Sequence, residues 1–237
     1  MSLGIRTLSK KEITLCLTIG KRPELLRQTL ESLLNKVDFK HIIAINDFRD
    51  EPTNAMFKQL CPHGQLILLP EQVGHHKAVD TMYAQVKTPY ILHCEDDWLF
   101  DQALDIDTCI QSLENDKNAT LLCLRKWTDF DFTDHEISKI KFIQQDPLNV
   151  VRLDPLHDQW HAFTFNPHIV SIELWKSLDG GFSNYKKERH ISRMFRKQNR
   201  YALFLEDGIC HHIGEECSIA NPPPKNWLQK WKRKIFG

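Results

Sequence analysis

Residues 90–98, YILHCEDDW, begin as a short apolar run and end in three adjacent carboxylates followed by a tryptophan. Three carboxylates directly after a buried strand repel one another unless a cation neutralises them. Carboxylate oxygens at a strand end suit Mg²⁺ or Mn²⁺ that is bound jointly by the protein and a substrate diphosphate. The alternative is an acidic turn exposed to solvent, which the apolar run and Trp98 disfavour. The stretch therefore predicts a strand that ends in a divalent-cation site.

Strand signals and helical spacings alternate on both sides of this stretch. Apolar runs predict strands at residues 12–19, 41–47, 65–70, 90–94, 120–124 and 201–205. Apolar residues at helical spacing predict helices within residues 23–34, 79–86, 106–113, 171–178 and 186–198. Residues 126–160 are irregular and predict loops over the sheet, and regular structure is expected to return at 161–165. This alternation predicts an α/β fold, a mostly parallel sheet flanked by helices.

The chain is expected to form one domain over residues 1–220, followed by a tail at 221–237, because no internal repeat or interdomain linker is evident. Ligands of such sheets bind at the carboxyl ends of the strands. Polar residues cluster there, at Thr18 to Arg22, at Asp47 and at Glu95 to Asp97. The sequence therefore places the binding site at that edge of the sheet.

Composition excludes several classes of protein. The 237 residues are 41% hydrophobic and 26% charged, which excludes collagenous, low-complexity and wholly disordered chains. No run approaches the roughly 20 apolar residues of a membrane span, and no signal-peptide pattern is present, so a cytosolic location is expected. Basic and acidic residues number 31 each, but five basic ones lie in the last sixteen residues, and the net-acidic remainder disfavours a nucleic-acid partner.

Seven scattered cysteines without a C-x-x-C pair are expected to be reduced core thiols.

Three segments, in this order, resemble the GT-A glycosyltransferases, in particular the inverting family 2 group with an EDD form of the D-x-D motif. The segments are CLTIGKRPELLRQTLESLL (16–34), IAIND (43–47) and EQVGHHKAVDTMYAQVKTPYILHCEDDWLF (71–100). The resemblance spans about residues 12–215. Two positions depart from the family pattern: Asn46 to Asp50 replaces a D-D-G-S-like turn, and Asp80 replaces an Asn. The resemblance implies a GT-A fold and a nucleotide-diphosphate sugar as the donor.

The resemblance also implies which residues bind the donor. Arg22 takes the place of an arginine that faces the nucleotide, and Asp47 that of an acid that contacts the base. Gly74 and Lys77 are expected on the diphosphate or ribose side, and Asp96 at the ribose or donor sugar. The residues expected to bind the nucleotide sugar are Thr18, Arg22, Asp47, Gly74, Lys77, Glu95 and Asp96.

The metal ligands and the general base are implied in the same way. Asp97 is expected to hold Mn²⁺ or Mg²⁺. Residues 211–214, HHIG, resemble the segment by which several GT-A enzymes supply a late metal ligand, and His212 is the preferred one of the pair. Inverting transfer needs a base that deprotonates the acceptor hydroxyl. Glu188 is expected to be that base, and Asp158 is the alternative.

The C-terminal sequence NWLQKWKRKIFG, residues 226–237, predicts an amphipathic helix at an anionic membrane surface. Trp227, Leu228, Trp231 and Ile235 fall within about a 100° arc of a helix, and most of the basic residues lie outside it. Tryptophan and clustered cations are typical of interfacial helices. The alternative is a disordered basic terminus.

These features predict an inverting, metal-dependent glycosyltransferase in surface polysaccharide or glycolipid synthesis. It would move a sugar from a nucleotide-diphosphate sugar to a saccharide or lipid-linked acceptor at the cytosolic face of the membrane. A catalytically silent sugar-nucleotide-binding or membrane-scaffold protein is the alternative, which the intact EDD motif disfavours. A sugar nucleotidyltransferase would require a Gly-rich N-terminal loop, and Thr18 to Arg22 is not such a loop.

Overall fold

A nine-stranded mixed sheet forms the centre of the protein in the computed structural model, which describes residues 7–144 and 148–214. The strands are β1 Thr7–Leu8, β2 Ile13–Ile19, β3 Val37–Asp38, β4 His41–Asn46, β5 Gln65–Leu68, β6 Tyr90–Glu95, β7 Trp98–Phe100, β8 Ala119–Cys123, β9 Lys141–Ile143, β10 Val150–Arg152, β11 His168–Ser171, β12 Tyr201–Leu205 and β13 Cys210–His212. The α-helices are α1 Pro23–Leu34, α2 Glu51–Leu60, α3 His75–Tyr83, α4 Ile106–Glu114, α5 Asp134–Ile137, α6 Ile172–Lys176 and α7 Glu188–Lys197.

The strand order places the carboxyl ends of the predicted strands along one edge. The order in the main sheet is β5-β4-β2-β6-β11-β8-β12-β10-β9. Strands β10 and β11 run opposite to the other seven. Strand β13 pairs with β7 in a separate antiparallel ladder that sets His212 opposite Trp98. The far end of the chain is thereby brought next to the EDD motif.

Alternating side chains of the sheet are covered on both faces. Leu15 and Leu17 of β2 belong to the core that includes α1, α2 and α4, whereas Cys16 belongs to the core that includes α3, α6 and α7. This alternation follows from the two-residue period of a strand. The predicted α/β fold, a sheet with helices packed on it, is confirmed.

Three sequence predictions of secondary structure need correction. Helix α2 was not predicted; it begins after Asp50, whose carboxylate accepts a hydrogen bond from the Thr53 backbone N–H at 3.1 Å. Residues 126–160 contribute β9 and β10 to the edge of the main sheet, and are not only loops. Residues 161–165 form no strand, since β11 begins at His168. Three-residue strands such as β9 and β10 are too short to show a two-residue period.

Two further expectations concern the cysteines and the membrane. Within residues 7–144 and 148–214, no helix has both the length and the apolar character needed to cross a membrane. Six cysteines lie in these residues, and all are buried free thiols, as predicted. Cys217 and the predicted amphipathic helix of residues 226–237 lie outside the described residues.

A stacked pair of buried histidines lies at the centre of the sheet. His93 of β6 and His168 of β11 are paired in register, and their ring centroids are 5.2 Å apart. His93 Nδ1 lies 3.1 Å from the Tyr83 hydroxyl, and His168 Nδ1 donates to the Asn166 carbonyl oxygen at 2.8 Å. Burial lowers the pKa of both rings, to about 4 for His168. Both histidines are therefore neutral in the folded protein at pH 7.

This pair should make the protein less stable in mild acid. An unfolded histidine takes up a proton below about pH 6.5, whereas folded His168 stays neutral down to about pH 4. Stability should therefore fall as the pH drops through this window, by up to about 1.4 kcal/mol per pH unit for each such histidine. His168→Phe should reduce this slope in urea unfolding between pH 6.5 and 4.5, and replacing the exposed His41 by Gln should not. Equal slopes in both variants would contradict the assignment.

Candidate functional site

A cleft of about 920 Å³, here called the main cleft, opens at the carboxyl ends of β2, β4 and β6. A cavity of this size accommodates a ligand as large as a nucleotide sugar. Nine of the eleven predicted site residues line it: Thr18, Arg22, Asp47, Gly74, Glu95, Asp96, Asp97, Glu188 and His212. The sequence positions from 18 to 212 thus converge at the edge where the fold predicts a ligand site.

Arg22 compensates the charge of the two acids that follow β6. Its guanidinium donates one hydrogen bond to Asp96 Oδ1 and another to Asp97 Oδ2. Asp96 Oδ2 also accepts a hydrogen bond from the Gly20 N–H at 2.8 Å. Both carboxylates are buried, and a buried charge is costly without such partners. Arg22 reaches them because it lies at the junction of β2 and α1, beside β6.

The three consecutive acids have different pKa values. Burial raises the pKa of Glu95 to about 8, and the charges of Asp97 and Asp96 add to this effect. Burial also raises the pKa of Asp96 to about 7, against the influence of Arg22. Burial alone would raise the pKa of Asp97, but the hydrogen bond with His212 and the charge of Arg22 lower it. A cation bound beside these acids would displace protons from Glu95 and Asp96, whose pKa values are raised. Cation binding should therefore strengthen as the pH rises.

Asp97 and His212 have the chemistry of metal ligands. His212 Nε2 lies 2.9 Å from Asp97 Oδ2, whereas His211 Nδ1 lies 3.5 Å from the Asp101 carboxylate. Asp97 Oδ1 is buried and has no hydrogen-bond partner in the described part of the chain. Gly214 packs so closely that a Cβ at this position would lie 2.4 Å from Asp97 Oδ2. A carboxylate and an imidazole side by side fit Mn²⁺.

The described residues supply only part of a complete metal shell. Residues 7–144 and 148–214 contain no group of three or more His, Cys, Asp or Glu side chains placed to hold a metal ion. Mg²⁺ and similar ions are often bound by one or two protein carboxylates together with substrate phosphates and water. The pair Asp97 and His212 therefore fits an ion that arrives with a diphosphate.

Asp47 holds the loop that enters α3. Its Oδ1 accepts a hydrogen bond from the Val73 N–H at 2.7 Å, and its Oδ2 accepts one from the Gly74 N–H at 2.9 Å. Gly74 adopts φ +88°, a conformation that favours glycine. Asp47 thus orders one wall of the main cleft, in addition to its predicted contact with a base.

Glu188, the first residue of α7, also lines the main cleft. Its Oε2 accepts a hydrogen bond from the Phe165 N–H at 3.1 Å. Burial raises the pKa of Glu188 to about 7, although the bonds from Phe165 and the Thr164 side chain lower it. A carboxylate with a pKa near neutrality is suited to accept a proton at physiological pH.

Two of the predicted site residues do not line the main cleft, and several residues that were not predicted do. Lys77 on α3 and Asp158 in a turn are both exposed and do not line the main cleft. Among the lining residues that sequence analysis did not select are Phe48, Gln72, Phe165, Asn166 and Lys187. Phe165 and Asn166 belong to an irregular segment, so no periodicity marked them.

Asp80 is a further organising residue, and the sequence held a signal for it. Its carboxylate accepts hydrogen bonds from Trp175 Nε1, the Phe182 N–H and the Ser183 N–H, each at 2.8 Å. Three donors suit a carboxylate better than an amide, which has one acceptor oxygen. The departure from the family's usual Asn is therefore explained, because Asp80 ties α3 to the segment that precedes Glu188.

Comparison with known proteins identifies the family. The model of glycosyl transferase family 2 matches residues 15–175. The chain belongs to glycosyl transferase family 2. The predicted family is therefore confirmed. No curated protein matches the sequence.

Solved structures of glycosyltransferases share the fold. The mannosyltransferase PcManGT from Pyrobaculum calidifontis, in complex with GDP-Man and Mn²⁺, superimposes with a TM-score of 0.65 over 96% of this chain at 13% identity. S. aureus TarS, residues 1–349, superimposes with a TM-score of 0.57 over 86% of this chain, also at 13% identity. The chain spans 61% of the length of each. At this identity the likeness shows the GT-A fold.

Removing Arg22 should destabilise the protein through Asp96 and Asp97. Arg22→Gln leaves two buried carboxylates without their cation, which typically costs about 3 kcal/mol of unfolding free energy. Added Mn²⁺ should restore part of the loss, because a divalent ion supplies the missing charge. Arg27→Gln is the control, since Arg27 on α1 also pairs with two acids, Glu24 and Glu31, but at the exposed surface. Equal losses in the two variants, or no rescue by Mn²⁺, would show that Arg22 does not compensate this cluster.

Proposed function

We propose that the protein transfers a sugar from a nucleotide-diphosphate sugar to a saccharide or lipid-linked acceptor, with inversion at the anomeric carbon and with a divalent metal. The observation that carries the proposal is the composition of the main cleft. It combines a charge-compensated pair, Asp96 and Asp97, with a separate carboxylate, Glu188, whose pKa is raised to about 7. The GDP-Man and Mn²⁺ in the Pyrobaculum structure support the class of donor and the metal.

The donor would bind along the ends of β2, β4 and β6. Asp47 and Thr18 would contact the nucleoside, and Asp96 the ribose or the donor sugar. The Arg22 guanidinium and the Gly74 loop would face the diphosphate, whose negative charge suits an arginine fork. Glu95 would line the same pocket. Lys77 is exposed on α3, so a diphosphate contact by Lys77 would need a rearrangement of its side chain.

Asp97 and His212 would hold the divalent ion. When bound, such an ion neutralises the charge that develops on the leaving diphosphate. Asp97 Oδ1 is the buried oxygen that lacks a hydrogen-bond partner among the described residues, and it would serve as the ligand atom. Gly214 would keep the space beside this carboxylate free of a side chain.

Glu188 would act as the general base. Its carboxylate would take the proton of the acceptor hydroxyl while that oxygen bonds to the anomeric carbon. The bond from the anomeric carbon to the diphosphate would break, and the electron pair would leave with the nucleoside diphosphate. The Phe165 N–H, which donates to Glu188 Oε2, would orient the carboxylate. Asp158, the alternative base, is exposed and outside the main cleft.

A membrane-surface location is part of the proposal. It is supported by the basic amphipathic sequence of residues 226–237, which would attach the protein to the cytosolic face of an anionic membrane. A lipid-linked acceptor in surface polysaccharide or glycolipid synthesis would suit that location. The competing function, a silent nucleotide-sugar-binding or scaffold protein, predicts nucleotide binding without turnover of any donor.

Replacing Glu188 should separate donor binding from transfer. Glu188→Gln keeps the shape of the side chain and removes proton acceptance, so transfer should fall by about 10² or more. Binding of the nucleoside diphosphate should stay within about twofold of the wild type, because Asp47 and Arg22 keep their own contacts and Glu188 is hydrogen-bonded to neither. Asp158→Asn is the matched control and should retain transfer. The measurement is turnover and nucleotide affinity across a panel of nucleotide sugars with Mn²⁺.

Two outcomes would overturn this assignment. Near-normal transfer by Glu188→Gln together with an inactive Asp158→Asn would move the base to Asp158. Nucleotide binding by the wild type without turnover of any donor would favour the silent binding protein.

A further inference from the structure

A second cavity of about 470 Å³ borders the main cleft through His212. It is lined by Asp101, Arg125, Lys126, Asp129, His211 and His212. Arg125 and Lys126 follow β8, and a backbone bridge joins Arg125 to Cys210 of β13. The carboxyl end of β8 opens at the same edge of the sheet as those of β2 and β6. The second cavity is therefore adjacent to the predicted metal ligands.

The Arg125 guanidinium is held by aromatic rings. It lies 4.1 Å from the ring centroid of Phe130 and 5.5 Å from that of Trp98. Its one hydrogen bond to another described residue goes from Nη2 to the Asp129 carbonyl oxygen at 3.3 Å. No carboxylate within residues 7–144 and 148–214 forms an ion pair with it. A guanidinium fixed in this way offers its remaining N–H groups to an anion such as a carboxylate or a phosphate.

The other charged side chains that line the cavity either have a partner of opposite charge or are exposed to solvent. Lys126 Nζ lies 2.5 Å from Asp101 Oδ2, and His211 Nδ1 lies 3.5 Å from the same oxygen. The Asp101 charge is thus balanced by Lys126. Asp129 is exposed at the rim of the cavity, and its carboxylate forms no ion pair with Arg125 among the described residues. Arg125 is the cation of this cavity that has no described acidic partner.

The cavity also lies close to the proposed base. Burial raises the pKa of the Cys123 thiol at the end of β8 to about 12. Among the weaker influences, Arg125 lowers the pKa of this thiol and Glu188 raises it. In the same region the Leu124 N–H donates to the Pro167 carbonyl oxygen at 2.8 Å, and the Phe165 N–H donates to Glu188, so the chain that leads from β8 to Arg125 packs against the segment that holds the proposed base.

We propose that the second cavity is an acceptor subsite in which Arg125 binds an anionic group, a carboxylate or a phosphate, carried by the acceptor. The inference rests on the proposed function, because it places the acceptor beside the nucleotide sugar. It goes further in naming the chemical class of the acceptor, an acidic saccharide. Arg125 would set specificity, and Glu188 would take the proton from the hydroxyl.

The test compares the binding of three compounds to the full chain: glucuronate, glucose 6-phosphate and glucose. Binding is measured by NMR titration. The wild type should bind at least one of the two anions about tenfold more tightly than glucose, the scale of a charge-assisted hydrogen bond. The better anion identifies the carboxylate or the phosphate as the group bound. Arg125→Gln should lose this preference, and Arg27→Gln, which removes an exposed charge on α1, should keep it.

A second variant tests the subsite without altering Arg125. Asp129→Asn removes an opposing charge from the rim and should strengthen anion binding. The proposal is overturned if the wild type shows no preference for either anion, if Arg125→Gln retains the preference, or if Asp129→Asn does not raise the affinity. Titration of nucleoside diphosphates with Mn²⁺ is a separate arm, in which absence of binding would contradict the proposed function rather than the subsite.

Discussion

The buried negative charge of Asp96 and Asp97 is the constraint around which the main cleft is arranged. Gly20 and Arg22 follow the end of β2, and His212 lies on β13. Gly20 donates a hydrogen bond to Asp96, His212 donates one to Asp97, and Arg22 donates to both carboxylates. Segments separated by more than 100 residues thus supply the partners that this buried charge requires. In this state the guanidinium compensates the charge, and a divalent ion with a diphosphate would share that task with it.

Glu188 stands in contrast to Asp97, whose pKa is lowered by the His212 hydrogen bond and the Arg22 charge despite its burial. It accepts hydrogen bonds from Phe165 and Thr164, and its pKa is raised to about 7 by burial rather than lowered by a cation. One cleft thus holds carboxylates with two different environments, which is the usual way to separate a charged ligand group from a proton acceptor. Asp80 maintains this division indirectly, since it anchors the segment that leads to Glu188.

The sequence predicted the parts of the structure that depend on local pattern. Strand β6 and its acidic end were visible in residues 90–98, and helical spacing located α1 and α4 closely. Strands β9 and β10 were missed because three residues carry no period, and α2 was missed because its apolar face is short. The site followed the same rule: Asp96 and Asp97 had a local signature, whereas Phe165, Asn166 and Arg125 acquire their places only through tertiary packing.

Calorimetric titration of nucleoside diphosphates, with and without Mn²⁺, tests the central claim that Asp97 couples the metal to the donor. Wild-type protein should bind at least one of GDP and UDP about tenfold or more tightly with Mn²⁺. Asp97→Asn should fold normally and lose most of this gain, and Glu188→Gln should keep it. If Asp97→Asn shows the same metal-linked gain as the wild type, the EDD motif is not the metal site and the account is wrong.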